Sequence, residues 1–240
     1  MPTGSCTCGT GGSAMPEPLV SARDIGRRYT VDGLSTVALV SATCTVMPGD
    51  RIAITGPSGS GKSTLLHLMG GLDRPTQGAI TWPALGPRET LRPQKIAFVF
   101  QVPSLLPSLT ALENVALPLI LGQVSPSEAR EAALHALERI ALAGIADKLP
   151  EELSGGQVQR VGVARALAYH PRLILADEPT GQLDHATAHH LIETLLATLE
   201  GTDTALVVAT HDARVSERMR TRWSMQHGRL GMVDAHTALA

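Results

Sequence analysis

Short apolar runs alternate along the chain with longer stretches in which apolar residues return every three or four positions, the pattern of strands and helices taken in turn. Ile52–Ile54, Leu173–Ala176 (LILA) and Ala205–Thr210 (ALVVAT) are continuous apolar runs, which predicts strands covered on both faces, as in a parallel sheet. Lys95–Phe100 (KIAFVF) reads as another buried strand, ending at Gln101. Leu19 opens a short strand, and a second is expected near Val37–Val46 before a Pro48-Gly49-Asp50 turn. Gly78–Trp82 reads as a further strand and Ala84–Pro93 as a Pro-rich connector.

Helix starts are marked by their caps. Thr110-Ala-Leu-Glu113 is a capping box that opens a helix through about Leu121. Ser125-Pro-Ser-Glu128 is a second, with proline at the first helical position and Leu134, Leu137 and Ile140 as its apolar stripe. A helix is expected from about Val158 to Tyr169, stopping before Pro171. Gly181-Gln-Leu-Asp184 is a turn leading to a helix that runs to about Glu200, with Leu191, Leu195 and Leu199 on one face. The remainder predicts a helix with Arg214 and Arg218 and a strand pair around His227-Gly228. The helical segments after Gln101 thus form an insert between strand-rich stretches.

Chemistry concentrates where strands end. The first such place is Gly56-Pro57-Ser58-Gly59-Ser60-Gly61-Lys62-Ser63, between the Ile52 strand and a helix with Leu65, Leu66, Leu68, Met69 and Leu72. This is the G-x-x-x-x-G-K-[ST] phosphate loop in its required context. Its glycines let successive N–H groups point at one anion, and the helix adds its free N–H groups and positive dipole end. Lys62, one of only three lysines, is expected to reach the terminal phosphates of a nucleotide, Ser63 to ligate Mg²⁺ and Thr64 to bond a phosphate oxygen. Asp177-Glu178 end the LILA strand. Carboxylates at the C-terminal end of a buried parallel strand lie beside the phosphate loop, where Asp177 can hold Mg²⁺ and Glu178 can take a proton from the attacking water. The other reading is an ordinary acidic strand end.

Leu153-Ser154-Gly155-Gly156-Gln157 offers a second anion cradle at a helix start, or simply a capped helix with flexible glycines. His211 ends the ALVVAT strand and either bonds a γ-phosphate or is merely solvated. Tyr29, upstream of the loop, either stacks on an adenine or is a half-buried strand residue. His185, His189 and His190 lie on a helix with no evident acidic partner and read as a solvated face.

Taken in order, these motifs make the chain resemble the ATP-binding-cassette ATPases from about Leu19 to Val233. Gly56–Ser63 corresponds to that family's phosphate loop, Gln101 to its glutamine switch, and Leu153–Gln157 (LSGGQ) to its signature. Asp177 and Glu178 correspond to its metal-binding aspartate and catalytic base, Leu183-Asp184 to the loop after them, His211 to its switch histidine and Tyr29 to its adenine-stacking aromatic. The resemblance implies an α/β fold: a phosphate-loop NTPase core with a mostly parallel sheet, an N-terminal antiparallel β subdomain and a helical insert over about 104–160. It also implies ATP and Mg²⁺ as ligands, with Ser63, Gln101 and Asp177 toward the metal. A head-to-tail homodimer is implied as well, in which Ser154, Gly155, Gly156 and Gln157 close over the partner's ATP and Asp184 lies at the shared site. Phe100–Leu119 and Met69–Gly78 resemble the lipoprotein-releasing, macrolide-exporting and cell-division branch, where the cassette drives a separate membrane permease. Two departures stand out: Ala84–Lys95 is shorter than usual before Gln101, and Gln182 replaces a common Asn.

Composition narrows the choice further. At 240 residues, 43% hydrophobic and net charge −2, the chain can bury a full core and has no electrostatic footprint for nucleic acid. Aromatic residues are only 2%, which argues against stacking on single strands. No apolar run approaches the roughly 18 residues that span a bilayer, and no signal-peptide pattern is present, so a membrane role must come through a partner, which the resemblance implies is a permease met at the inner face of the membrane. Cys6, Cys8 and Cys44 are too few for a disulfide framework, which fits a reducing cytoplasm; Cys6-Thr-Cys8 is half a metal site at most. Residues 1–18 read as a disordered extension in which Met15 is an alternative start, and 234–240 as a frayed end. A regulatory module signalling through a membrane partner without transport would use the same catalytic residues. A DNA-maintenance ATPase would need a long coiled coil where only a short helical insert fits.

Overall fold

The computed structural model describes residues 16–233. The N-terminal extension up to Met15, the Cys6-Thr-Cys8 pair and residues 234–240 lie outside them. In chain order the elements are β1 (Val20–Val31), β2 (Leu34–Val46), β3 (Arg51–Thr55), α1 (Lys62–Met69), β4 (Gln77–Thr81), β5 (Ile96–Val99), α2 (Ala111–Leu121) and α3 (Pro126–Arg139). Then follow α4 (Gly155–Leu167), β6 (Leu173–Asp177), α5 (His185–Leu199), β7 (Ala205–Thr210), α6 (Ala213–Glu217), β8 (Thr221–Gln226) and β9 (Arg229–Val233).

The strands form one nine-stranded sheet in the order β4-β1-β2-β9-β8-β3-β7-β6-β5. From β8 to β5 every neighbouring pair is parallel, whereas β1 pairs antiparallel with both β2 and β4. The expected mixture of a parallel core and an antiparallel N-terminal part is therefore present. Strand alternation divides the core in two. Ala53, Ile174, Ala176, Leu206 and Val208 face α2–α5, while Ile52, Ile54, Leu173, Leu175, Val207 and Ala209 face α1 and the N-terminal strands. Both faces of the central strands are thus covered, as their unbroken apolar sequences require. Cys44 belongs to the second core, and burial pushes its thiol up to about 12, so it behaves as a hydrophobe.

Both capping boxes form, at Thr110–Glu113 and Ser125–Glu128, and start α2 and α3 where expected. A third, Ser154 with Gln157, starts α4 at Gly155, ahead of the expected Val158, because the reciprocal cap draws both glycines into the first turn. Two other expectations are corrected and one is extended. The KIAFVF strand is the sheet's edge, so Ala97 and Phe98 are only half-buried and Phe100 is 39% exposed. The Ala84–Pro93 connector holds a 3₁₀ turn at Arg88–Thr90 and buries Leu85 and Leu91. On α3 the buried face is Ala129, Ala133, Ala136 and Leu137, continued by Ile140, while Leu134 is 38% exposed, because three buried alanines, and not a leucine stripe, let α3 approach α2 and α4 closely.

The packing of α3 is testable by urea denaturation. Leu137→Ala should cost about 2–5 kcal/mol and Leu134→Ala no more than about 0.5 kcal/mol, and equal losses would restore the leucine stripe.

Candidate active site

Parallel pairing sets the site. Thr55 of β3 lies opposite Thr210 of β7, and Asp177 of β6 lies opposite Ala209, so the chain leaves all three strands at one edge. The phosphate loop, Asp177-Glu178 and His211 are gathered there, at the carboxyl ends where α/β sheets bind ligands.

The loop is held by close backbone contacts. A Cβ on Gly56 would lie 2.1 Å from the Met225 carbonyl oxygen, and one on Gly61 would lie 2.5 Å from that of Ala38. Gly61 also takes φ 104°, open only to glycine. Ala38 is the residue by which β2 slips register, since Arg27 pairs with Leu39 and Arg28 with Val37. This bulge turns a carbonyl toward the loop. From the other side the Gly228 N–H donates to the Ser60 carbonyl at 3.0 Å. The buried Lys62 donates to the carbonyls of Gly56 (2.8 Å) and Pro57 (3.2 Å) and stands 3.6 Å from Glu178 Oε1. Ser63 opens α1 on its exposed side, followed by the half-buried Thr64.

Glu178 is the hub of the acidic edge. Its Oε2 lies 2.9 Å from His211 Nδ1, while its Oε1 faces Lys62, so the carboxylate bridges the cation and the imidazole. The Glu178 backbone is left-handed, φ 46°, an uncommon state for a side-chain-bearing residue. Hydrogen bonds from its N–H to the Ala209 carbonyl (2.9 Å) and from the Gly181 N–H to its own carbonyl (3.0 Å) hold it there. Asp177 Oδ1 is buried without a hydrogen-bond partner, as is Ser60 Oγ. An orphaned carboxylate oxygen at the same edge of the sheet as the phosphate loop suits a hard cation with oxygen ligands. Gln101 packs its amide against Gly181, where an added Cβ would meet Nε2 at 2.8 Å.

The signature residues lie elsewhere. Among the described residues, Ser154, Gly155, Gly156 and Gln157 make no hydrogen bond to residues 56–64. Ser154 and Gly155 are exposed, and Gly156 packs on Thr187 at the start of α5. Asp184 caps that same turn, accepting from the Ala186 and Thr187 N–H groups and the Thr187 hydroxyl. The Thr187 hydroxyl and these backbone donors hold its carboxyl below the usual range. His189 is solvent-facing as expected but does have an acidic neighbour, Glu193, at 3.7 Å.

Two groups of supporting residues escaped the sequence reading. Gln159 Nε2 donates to the Phe100 carbonyl (3.1 Å), Arg165 donates to that of Ser104 (2.8 Å), and Gly162 meets Pro103 between them. Their spacing of three along α4 was the available clue. Tyr29 donates to Asp73 Oδ2 at 2.8 Å, with Arg27 stacked on its ring. Arg27 and Tyr29 share a strand face by alternation, but Asp73 lies across the fold.

Residues 39–181 match the family model described as ABC transporter. The lipoprotein-releasing system ATP-binding protein LolD of Legionella pneumophila (strain Lens) is 46% identical over 213 residues, covering 85% of this chain and 93% of that protein. The protein of the same name from Pseudomonas fluorescens is 43% identical over 220 residues, covering 88% and 96%. A dimeric post-hydrolysis structure of the ATP-binding cassette MJ0796 bound to ADP and Pi superposes with a TM-score of 0.81 at 38% identity, covering 92% of this chain and all of that one. The cbiO1 structure from Clostridium perfringens, part of the ABC transporter complex cbiONQ, gives 0.78 at 26% identity, covering 90% and 87%. Among the described residues no helix is long and apolar enough to cross a membrane. With its phosphate loop, acidic strand end and histidine assembled at one edge of the sheet, the chain belongs to the ABC transporter family, as an ATP-binding and ATP-hydrolysing subunit.

Proposed function

We propose that two copies of this chain close head to tail around two ATP molecules and drive a separate membrane permease of the lipoprotein-releasing type, from the cytoplasmic face. The observation that carries this reading is the separation of two anion cradles in one chain: Gly56–Ser63 is buttressed inside the fold, whereas Ser154 and Gly155 present a free helix N-terminus to solvent. A second copy gives the exposed cradle a phosphate to bind. LolD's name supplies the lipoprotein-releasing assignment, and the dimeric MJ0796 cassette supplies the precedent for pairing.

In this mechanism Tyr29 stacks on the adenine, and the N–H groups of Gly59, Ser60, Gly61, Lys62, Ser63 and Thr64 wrap the phosphates. Pro57 and Ser58 shape the loop's outer turn. Lys62 exchanges its carbonyl partners for phosphate oxygens. Ser63, Asp177 and Gln101 would hold Mg²⁺, which neutralises charge on the β- and γ-phosphates when bound. Asp177 is suited to this by its unpartnered Oδ1, and Gln101 reaches inward by leaving Gly181. Glu178 accepts a proton from water as the water oxygen bonds to the γ-phosphorus and the bond to the β-phosphate oxygen breaks. His211 holds the Glu178 carboxylate in line and approaches the γ-phosphate. Ser154, Gly155, Gly156 and Gln157 bind the partner's γ-phosphate, and Asp184, by fixing the first turn of α5 under Gly156, sets the height of that cradle.

One surface favours permease docking in this reading. Leu72, Phe98, Phe100, Pro118, Leu121 and Tyr169 line an open, mainly apolar groove of about 600 Å³ between the β5 edge and the α2–α4 helices. Phe98 and Phe100 stack there at 5.5 Å, and Leu121 is 74% exposed. Such a patch suits an amphipathic partner helix.

Glu178→Gln should retain ATP binding, lower turnover by about 10²–10⁴-fold, and give an ATP-dependent dimer by light scattering. A monomeric, fully active variant would refute both the base and the pairing. Ser154→Asp preserves the cap, so the melting temperature should hold, but it sets a carboxylate against the partner's phosphate. Hydrolysis should fall at least about tenfold with unchanged ATP affinity of the single chain; a weakened single chain would count against the partner-facing role. Leu121→Asp should abolish co-purification with the permease and leave the detergent-free ATPase intact, and retained co-purification would move the docking site elsewhere.

A further inference from the structure

We propose that Arg27 and Asp73 clamp the Tyr29 ring as a one-sided stacking platform, making them positioning residues for recognition of the nucleotide base. This rests on the assignment of Tyr29 to adenine above.

Three contacts close a triangle. Arg27 Nε donates to Asp73 Oδ2 at 2.7 Å, the Tyr29 hydroxyl donates to the same oxygen at 2.8 Å, and the Arg27 guanidinium carbon lies 4.5 Å from the Tyr29 ring centroid. The other carboxylate oxygen, Oδ1, accepts from the Arg74 N–H at 2.7 Å, so the acceptor is itself fixed. Burial alone would raise the Asp73 carboxyl, but these hydrogen bonds and the Arg27 charge together hold it below its usual range. The ring is therefore tied at its hydroxyl end and covered on one face by a cation, leaving one face of a half-buried ring for a ligand.

The platform is also tied to the phosphate loop. Tyr29 pairs with Thr36 on β2, two positions from Ala38, whose carbonyl packs on Gly61. Asp73 follows α1, and the N–H groups of Leu72 and Asp73 both donate to the His67 carbonyl, at 2.8 and 3.3 Å. The helix whose N-terminus faces the phosphates thus carries, at its other end, the carboxylate that fixes the ring. The Thr76 N–H donates to the Gly26 carbonyl at 2.8 Å and the Arg28 N–H to Thr76 Oγ1 at 3.2 Å, locking β1 to the same turn. An unclamped tyrosine would lose two side-chain rotations on binding a base, and here they are already fixed in the free chain.

The test compares ATP with tripolyphosphate, which carries the phosphates without a base, by calorimetric titration of the whole chain. Arg27→Met and Asp73→Asn should each weaken ATP about two- to fivefold and leave tripolyphosphate unchanged. In a Tyr29→Ala background the same substitutions should have no further effect on ATP. If Tyr29→Ala weakens ATP while Arg27→Met and Asp73→Asn do not, the clamp is overturned and the adenine assignment stands. Unchanged ATP affinity in Tyr29→Ala overturns the assignment itself. Equal loss of ATP and tripolyphosphate in the Arg27 and Asp73 variants overturns the clamp in favour of a general role in folding.

Discussion

The phosphate loop works because backbone reaches backbone. With Met225 and Ala38 carbonyls standing where the Cβ atoms of Gly56 and Gly61 would be, the loop is wedged between β8 on one side and the β2 bulge on the other. That wedge fixes the direction of the loop N–H groups before any anion arrives, and fixed dipoles cost no reorganisation when charge develops. It also explains the antiparallel N-terminal strands. They supply the Ala38 carbonyl that closes the loop, so they are structural parts of the phosphate-loop site.

Charge in the site is arranged around one strained residue. Glu178 faces Lys62 with one oxygen and His211 with the other, from a left-handed backbone that only the surrounding hydrogen bonds sustain. A relaxed β conformation would swing the carboxylate away from both partners. The strain is held by Ala209 and Gly181, which belong to the neighbouring strand and to the loop that leads into α5. Asp177, one residue earlier and still in the strand, keeps a buried oxygen without a partner. Adjacent carboxylates thus have separate surroundings because the chain turns between them.

Much of this was legible because local rules and tertiary outcome agree. Two capping boxes, the phosphate loop between strand and helix, and the unbroken apolar strands each state their own geometry and formed where read, whereas α4 starts at Gly155, ahead of the expected Val158. What could not be read depends on position in the sheet or on contacts distant in sequence. KIAFVF has the composition of a central strand, yet its place at the end of the strand order exposes Phe100. Leu134 has the right spacing for a core face, but helix approach is governed by the three buried alanines of α3. Arg27 and Asp73 are separated by 46 positions, and only folding brings them to one tyrosine.

The same limitation hid the link between the signature and the rest of the site. Gln159, Gly162 and Arg165 lie on one side of α4, and each holds a residue of the Phe100–Ser104 segment, on both sides of Gln101. Gln159 is buried with its amide on a backbone carbonyl, so separating the two would strand polar groups in the interior at a cost of about 1–3 kcal/mol. Shifting α4 is therefore easier with the Gln101 segment attached than without it. α4 begins at the exposed Ser154 and Gly155, and the segment it holds carries the glutamine that rests on Gly181, three residues from Glu178. A packed connection from the exposed start of α4 to the strained Glu178 then follows from these contacts.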